Sequence, residues 1–313
     1  MSRIWAITTY YNPSGYQRRE QNYRVFREHL GLPLAVIELS FNGEFFLTDS
    51  DADLLVQIDQ GDVMWQKERL INRIVQELPE ECEYVAWVDA DVVFQNSDWP
   101  EMTIKALQNH GLVHLFRQRL NLLKDESCED VLSGKLEFDP GRLVTSSIYL
   151  NEIGEGTEED FAFSNSVLSR GTSVGLAWAS SRHILEHHGL FDACILGSGD
   201  RVMVNSAFGN YEWAENAATM TPGLKRYYRN WCEGFHQAIR GRMCHVPGLA
   251  IHLWHGEMVD RKYVIRHEIL NRHDYDPAYD IGLNQQGVFE WTSDKPEMHA
   301  EIAAYFDGRK EDG

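Results

Sequence analysis

The chain is short of positive charge, of paired cysteines and of long apolar runs, and each shortage excludes something. Lysine and arginine number 29 against 48 aspartates and glutamates over 313 residues, a formal charge of −19. Nucleic-acid binding relies on cations that neutralise phosphate, so this balance disfavours a general nucleic-acid partner. A small anionic substrate stays admissible where a divalent ion and a few local cations offset the field. The five cysteines, Cys82, Cys128, Cys194, Cys232 and Cys244, are odd in number, far apart and without a C-x-x-C pair. That argues against a disulfide framework or a zinc cluster, and for a reducing compartment. No apolar run approaches the ~18 residues of a spanning helix, and Met1-Ser2-Arg3-Ile4 lacks signal-peptide form. A cytoplasmic protein with no transmembrane segment is expected. Internal repeats and low-complexity segments are missing too.

What is present is an alternation of buried strands and amphipathic helices. Residues 3–9 read as a strand that ends in Asn12-Pro13-Ser14-Gly15, which is turn chemistry. Residues 17–30 read as a helix with Tyr23, Phe26 and Leu30 on one face. A strand at 34–39, a short strand pair within 45–59, a helix at 63–78 and a strand at 84–94 follow. This order predicts an α/β fold, a mostly parallel central sheet with helices on both faces. Further on, a helix is expected at 98–109 and a strand at 112–116. Residues 119–165 are irregular and acid-rich, the mark of a long loop or lid. Strands at 173–180 and 249–254 and helices at 182–188, 200–208, 221–240, 259–270 and 297–306 complete the reading.

The stretch 84–94, Tyr-Val-Ala-Trp-Val-Asp-Ala-Asp-Val-Val-Phe, carries two aspartates out of a buried strand. Asp89 and Asp91, two residues apart on a strand, project to one side and can face one cation. Oxygen ligands of this kind suit Mg²⁺ or Mn²⁺, with substrate phosphates completing the shell. The plain alternative is a strand that ends in an acidic turn. Two further polar clusters leave probable strand ends, Thr8 to Asn12 and the pair His252 and His255. A carboxylate pair with an imidazole is a sensible Mn²⁺ site. The three-residue spacing does not place both histidines on one strand face, so which of them binds stays open. In Gly197-Ser198-Gly199-Asp200 the glycines permit close backbone approach, and Asp200 opens a helix, where capping alone would also account for it.

The arrangement resembles the glycosyltransferases of the GT-A fold, a Rossmann-like architecture. Asp89-Ala90-Asp91 is similar to their D-x-D motif, and residues 7–12 to the first-strand exit that packs on the nucleotide base. The resemblance implies Thr8, Tyr10, Glu38, Lys67, Asn72 and Asp89 as nucleotide-sugar contacts, and Asp89, Asp91, His252 and His255 as metal ligands. It places Asp200 where polypeptide-GalNAc and β-1,4-galactosyl type transferases carry an acceptor segment, which implies a general base and inversion. Here Gly-Ser-Gly-Asp lacks the tryptophan and doubled acid of that segment, which leaves inversion or retention open. Arg261 or Lys262 would steady the diphosphate, and Trp178, Trp231 and Trp254 are possible sugar platforms. The implied cofactor is Mn²⁺ or Mg²⁺, the donor a nucleoside diphosphate sugar with UDP favoured, and the partner a glycan or other hydroxyl acceptor. Residues 1–118 would form the nucleotide-sugar half, 119–260 the acceptor half with the loop or lid at 119–165, and 261–313 a helical extension.

Two other classes compete. Asp89-Ala90-Asp91-Val92-Val93 nearly meets the motif of haloacid-dehalogenase-type phosphohydrolases, although that motif normally opens its domain. A non-catalytic protein that binds nucleotide sugars or glycans is the other. Transfer onto modified DNA bases is disfavoured by the charge but kept open by Arg226, Arg229, Arg240 and Arg242.

Overall fold

The computed structural model describes residues 3–156, 172–263 and 265–313. The end of the expected lid, from residue 157, lies outside the described residues. The first third of the chain contributes β1 (Ile4–Tyr11), β2 (Leu34–Leu39), β3 (Leu54–Ile58), β4 (Tyr84–Val88), β5 (Val92–Phe94) and β6 (Leu112–His114). Then come β7 (Gln118–Asn121), β8 (Leu143–Ser146), β9 (Thr172–Ser173), β10 (Ala177–Ser181), β11 (Met243–His245) and β12 (Leu249–His252). A hairpin of β13 (Ile281–Leu283) and β14 (Phe289–Trp291) follows.

Seven strands form the central sheet in the order β11-β6-β10-β4-β1-β2-β3. All its pairings are parallel except those of β10, which runs against both β4 and β6. The sheet is therefore mostly parallel, as the element order predicts. Strand alternation sends Ile4, Ala6, Leu34 and Val36 to one face, where Tyr23 and Phe26 of the Gln17–His29 helix cover them. Ile7, Ala35 and Ile37 face the other side, under Leu70, Ile71 and Ile74 of the Lys67–Ile74 helix. Both faces are thus packed, which explains why these strands read as continuous apolar runs.

A second sheet, in the order β5-β12-β7-β8-β9, stands beside the first. It corrects two expectations. The stretch 84–94 is two strands: β4 ends at Val88 in the central sheet, and β5 begins at Val92 in the second. The aspartates sit on the turn that switches sheets, so strand alternation no longer puts them on one side. Residues 119–156 are not one loop but hold β7, β8 and the short helices Cys128–Leu132 and Ser147–Glu152. Their strands are four residues long and partly polar, too short to raise a periodic signal. In 45–59 the expected pair is one strand, β3. The helix expected at 63–78 is regular only over Lys67–Ile74 before a 3₁₀ turn at Val75–Glu77. Before it, the buried Gln66 amide exchanges hydrogen bonds with the Phe289 backbone, which ties this entry to the late hairpin.

Among the described residues, no helix is long and apolar enough to cross a membrane.

Candidate active site and metal centre

The turn between the two sheets is anchored at both ends. Asp89 N–H donates to Leu176 O, and the Asp91 carbonyl accepts from Leu253 N–H. β12 pairs with β5 so that His252 stands opposite Val92, and with β7 so that His252 stands opposite Asn121. That register brings His252 beside Asp91. His255, three residues on, returns to the same point, and the next residue, Gly256 at φ +86°, passes so near the Lys310 carbonyl that a Cβ there would meet it at 2.7 Å.

Asp91, His252 and His255 offer donor atoms that all lie within 4.8 Å of one another. Asp91 Oδ2 is 3.0 Å from His255 Nε2, and Oδ1 is 3.7 Å from His252 Nε2. The two Nε2 atoms are 3.2 Å apart. His252 Nδ1–H donates to Asn121 Oδ1 at 3.0 Å, which turns the Nε2 lone pair toward the cluster. Burial holds His252 well below its ordinary value, so the ring is neutral, as a ligand must be. Asp91 Oδ1 is buried without a hydrogen-bond partner among the described residues. A carboxylate and two imidazoles converging with an unsatisfied oxygen fit a divalent ion, and nitrogen donors suit Mn²⁺ better than Mg²⁺. Arg261 Nη2 donates to His255 Nε2 at 2.8 Å and so competes for the same lone pair.

Asp89 does not join this group of three. Its Oδ1 lies 2.6 Å from Lys67 Nζ, and Lys67 reaches Asp200 Oδ2 at 3.5 Å. Burial pushes Asp89 up to about 6 in spite of Lys67. Burial would lower Lys67, but Asp200 and Asp89 outweigh it and hold the amine well above its ordinary value. Asp200 is the second residue of the Gly199–Phe208 helix, after Ser198 at φ +83°. The glycines do permit close approach: a Cβ on Gly197 would meet the Arg266 guanidinium at 2.9 Å, and one on Gly199 would meet Glu68 Oε1 at 2.1 Å.

These groups line one cavity of about 570 Å³, together with Thr9, Tyr10, Trp65 and Asn121. Thr8, Glu38 and Asn72 are not on its wall, contrary to expectation. The Thr8 hydroxyl donates to Val88 O and ties β1 to β4. Glu38 is spent on Phe46 N–H at 2.7 Å and Gln57 Nε2 at 2.9 Å. Asn72 holds Leu190 N–H at 2.7 Å and Leu190 O at 2.8 Å, which fixes the loop before Asp192. Among the three tryptophans, Trp178 is fully buried, Trp231 stacks on Phe235, and Trp254 lies under Arg18 and Lys124; none lines the cavity. Lys262 is exposed, whereas Arg261 is buried on the cavity wall.

Sequence reading missed the cations. Arg19, Arg119, Arg201, Arg266 and Arg309 all line the cavity. They come from five separate segments, so no local cluster announces them. It also missed Glu311, which is buried, pairs with Arg19 and Arg309 at 2.5 Å each, and lies 3.7 Å from His255 Nδ1. Among the four arginines weighed for DNA, Arg226 pairs with Asp276 and Arg229 with Glu215. Arg240 and Arg242 donate to backbone carbonyls. Two of the four charges are thus paired with carboxylates.

No protein-family model matches the chain, and no curated protein does. Distant likenesses to solved structures exist. Residues 1–349 of Staphylococcus aureus TarS show 10% identity over 98% of this chain and 71% of that one, with a TM-score of 0.39. A Pyrobaculum calidifontis mannosyltransferase, PcManGT, in complex with GDP-Man and Mn²⁺ shows 14% identity over 98% and 72%, with a TM-score of 0.45. The catalytic domain of Drosophila β1,4-galactosyltransferase 7 shows 11% identity over 61% and 54%, with a TM-score of 0.29. What the site can do follows from its own side chains.

Proposed function

We propose that the protein is a metal-dependent glycosyltransferase of GT-A type that moves a sugar from a nucleoside diphosphate sugar, UDP-sugar foremost, to an acceptor hydroxyl. The observation that carries this reading is the Asp91, His252 and His255 cluster at the wall of a large cationic cavity in an acidic protein. Mn²⁺, when bound there, would supply positive charge against the leaving diphosphate. Arg261, once His255 Nε2 is engaged by the ion, is released to face the same diphosphate, and Arg266 stands across the Gly197 turn to do likewise. Tyr10 and Asn22 line the cavity and would face the donor. Asp200 faces the cavity, so its carboxylate would take the proton of the acceptor hydroxyl, and inversion follows if that attack comes opposite the diphosphate. Lys67 locks Asp89 and Asp200 at a fixed separation, a positioning role in place of direct nucleotide contact.

In this reading, residues 1–118 supply the donor wall and 119–260 the acceptor wall. Residues 261–313 close the cavity through Arg266, Arg309 and Glu311. Five buried free cysteines fit a reducing compartment such as the cytoplasm. The test is a thermal-shift screen of UDP-, GDP- and CMP-sugars with and without Mn²⁺. A ligand that binds only the native state at a hundred times its Kd adds about 2.7 kcal/mol of stability. The reading expects a shift that needs both nucleotide sugar and metal and vanishes in Asp91→Asn. No shift with any nucleotide overturns it. A phosphoaspartate trapped at Asp89 would instead support the phosphohydrolase.

A further inference from the structure

We propose that His29, Cys128 and Glu129 form a second metal site, one that takes Zn²⁺ as a structural ion outside the catalytic cavity. The donor atoms of the three side chains all lie within 4.8 Å of one another. None of the three lines the cavity, so the site goes beyond the glycosyltransferase reading and does not depend on it. His29 closes the Gln17–His29 helix, whereas Cys128 and Glu129 open the Cys128–Leu132 helix between β7 and β8. The lack of a C-x-x-C pair excludes only a local ligand set. Here one cysteine meets a histidine and a carboxylate across the fold.

Local structure prepares each ligand. His29 Nδ1 lies 2.9 Å from Val25 O, and a carbonyl only accepts, so Nδ1 carries the proton and the neutral ring offers Nε2 to an ion. A carbonyl behind the other ring nitrogen is the common device that orients a metal-bound histidine. Cys128 is 2% exposed, and the Ser127 hydroxyl, which accepts from Asp130 N–H, fixes the turn that carries it. The Cys128 thiol donates to the Glu129 carboxylate. Burial raises that thiol to about 12, so an arriving ion sends its proton to solvent and takes its place between sulfur and carboxylate. Zn–S at about 2.3 Å and Zn–N at about 2.0 Å set neighbouring tetrahedral ligands roughly 3.5 Å apart. The exposed Glu129 and half-buried His29 side chains have the freedom to close to that spacing, and water fills the fourth position from the open side. Thiolate with imidazole and carboxylate selects Zn²⁺, whereas Mn²⁺ keeps to the oxygen and nitrogen donors of the Asp91 cluster. Val25, one turn before His29, packs on the apolar cluster of Leu120, Leu122, Cys128 and Val131. The ion would therefore staple the first helix to the second sheet, behind the cavity wall that Asn22 and Asn121 supply.

Titration of the full, reduced chain with Co²⁺ tests this. Cobalt bound to a thiolate gives a near-ultraviolet charge-transfer band, which the Asp91, His252 and His255 cluster, without sulfur, does not produce. The expected result is one thiolate-bound Co²⁺ per chain, displaced by equimolar Zn²⁺. Cys128→Ser should abolish the band, and His29→Gln and Glu129→Gln should each weaken Co²⁺ binding tenfold or more. Asp91→Asn should leave the band intact, which separates this outcome from the fate of the catalytic metal centre. No band in the folded chain, a band that survives Cys128→Ser, or a band lost in folded Asp91→Asn overturns the proposal. So does an affinity indifferent to both His29→Gln and Glu129→Gln, which would mark a single thiol holding an adventitious ion only. If Cys128→Ser does not fold, His29→Gln, at a half-buried helix end, decides by the same tenfold criterion.

Discussion

Gly199→Ala perturbs the site through a contact the structure measures. A Cβ at residue 199 would lie 2.1 Å from Glu68 Oε1 and 2.4 Å from its Cδ, more than an ångström inside van der Waals contact. Glu68 has little room to yield, since it is 4% exposed and burial raises its carboxyl to about 8. Overpacking of this kind costs about 1–3 kcal/mol, and the depth of overlap places this case near the top. For a chain of this size that is a fall in Tm of roughly 3–5 °C. The helix start should shift as well and carry Asp200 away from Lys67. In a Glu68→Ala background the obstacle is gone, and alanine at a helix start is tolerated at least as well as glycine. A double-mutant cycle by urea unfolding should therefore give a coupling energy of about 2 kcal/mol between positions 68 and 199. Additive effects, or a Gly199→Ala protein as stable as the parent, would refute the close approach on which the placement of Asp200 depends.

Asn72→Ala leaves Leu190 N–H and C=O without their partner and should cost about 1–3 kcal/mol by chemical unfolding, while Mn²⁺-dependent nucleotide affinity stays unchanged. His114 is fully buried between Ser146 Oγ and Gly175 O, stacked on Trp178, with His245 and Arg119 the nearest charges. Burial lowers it from 6.5 to about 3, so the unfolded chain binds the proton first. Its contribution is complete above pH 6.5 and is lost as pH falls toward 3, by at most about 1.4 kcal/mol per pH unit. Unfolding followed between pH 7 and 4 should show a shallower fall in His114→Gln than in the parent. Glu311→Gln strands two guanidiniums and should destabilise by about 3–5 kcal/mol. Hydrogen exchange should then report early loss of protection at residues 309–312, and a parent-like pattern would count against their role as a wall.

How much of this was legible in the sequence depends on the length of each signal. β1, β2 and the Gln17–His29 helix are long and periodic, and their bounds agree with the sequence to within two residues. The Arg182–His188 helix also coincides, because Ser181 caps it and Gly189 ends it. The second sheet is not legible as a sheet: β12 falls within the strand expected at 249–254, but β7 and β8 are four residues long and draw their stability from neighbours remote in sequence. Asp91, His252 and Asp200 stand out as residue types at strand ends or helix starts. Their partners do not: the sorting of Asp89 to Lys67 and Asp91 to the histidines depends on the switch between sheets. Thr8, Glu38 and Asn72 fell where a nucleotide contact is expected but serve hydrogen bonds that hold strands and loops together. The arginine-lined wall arises only when five distant segments meet, and no local pattern encodes it.

Mn²⁺ binding followed by electron paramagnetic resonance tests the metal centre most directly. One ion per chain should bind, its spectrum should carry nitrogen couplings from two imidazoles, and Asp91→Asn, His252→Ala and His255→Ala should each abolish it in folded protein. Asp89→Asn should retain the site. Binding that survives the loss of either histidine, or that disappears in Asp89→Asn while persisting in Asp91→Asn, contradicts the account.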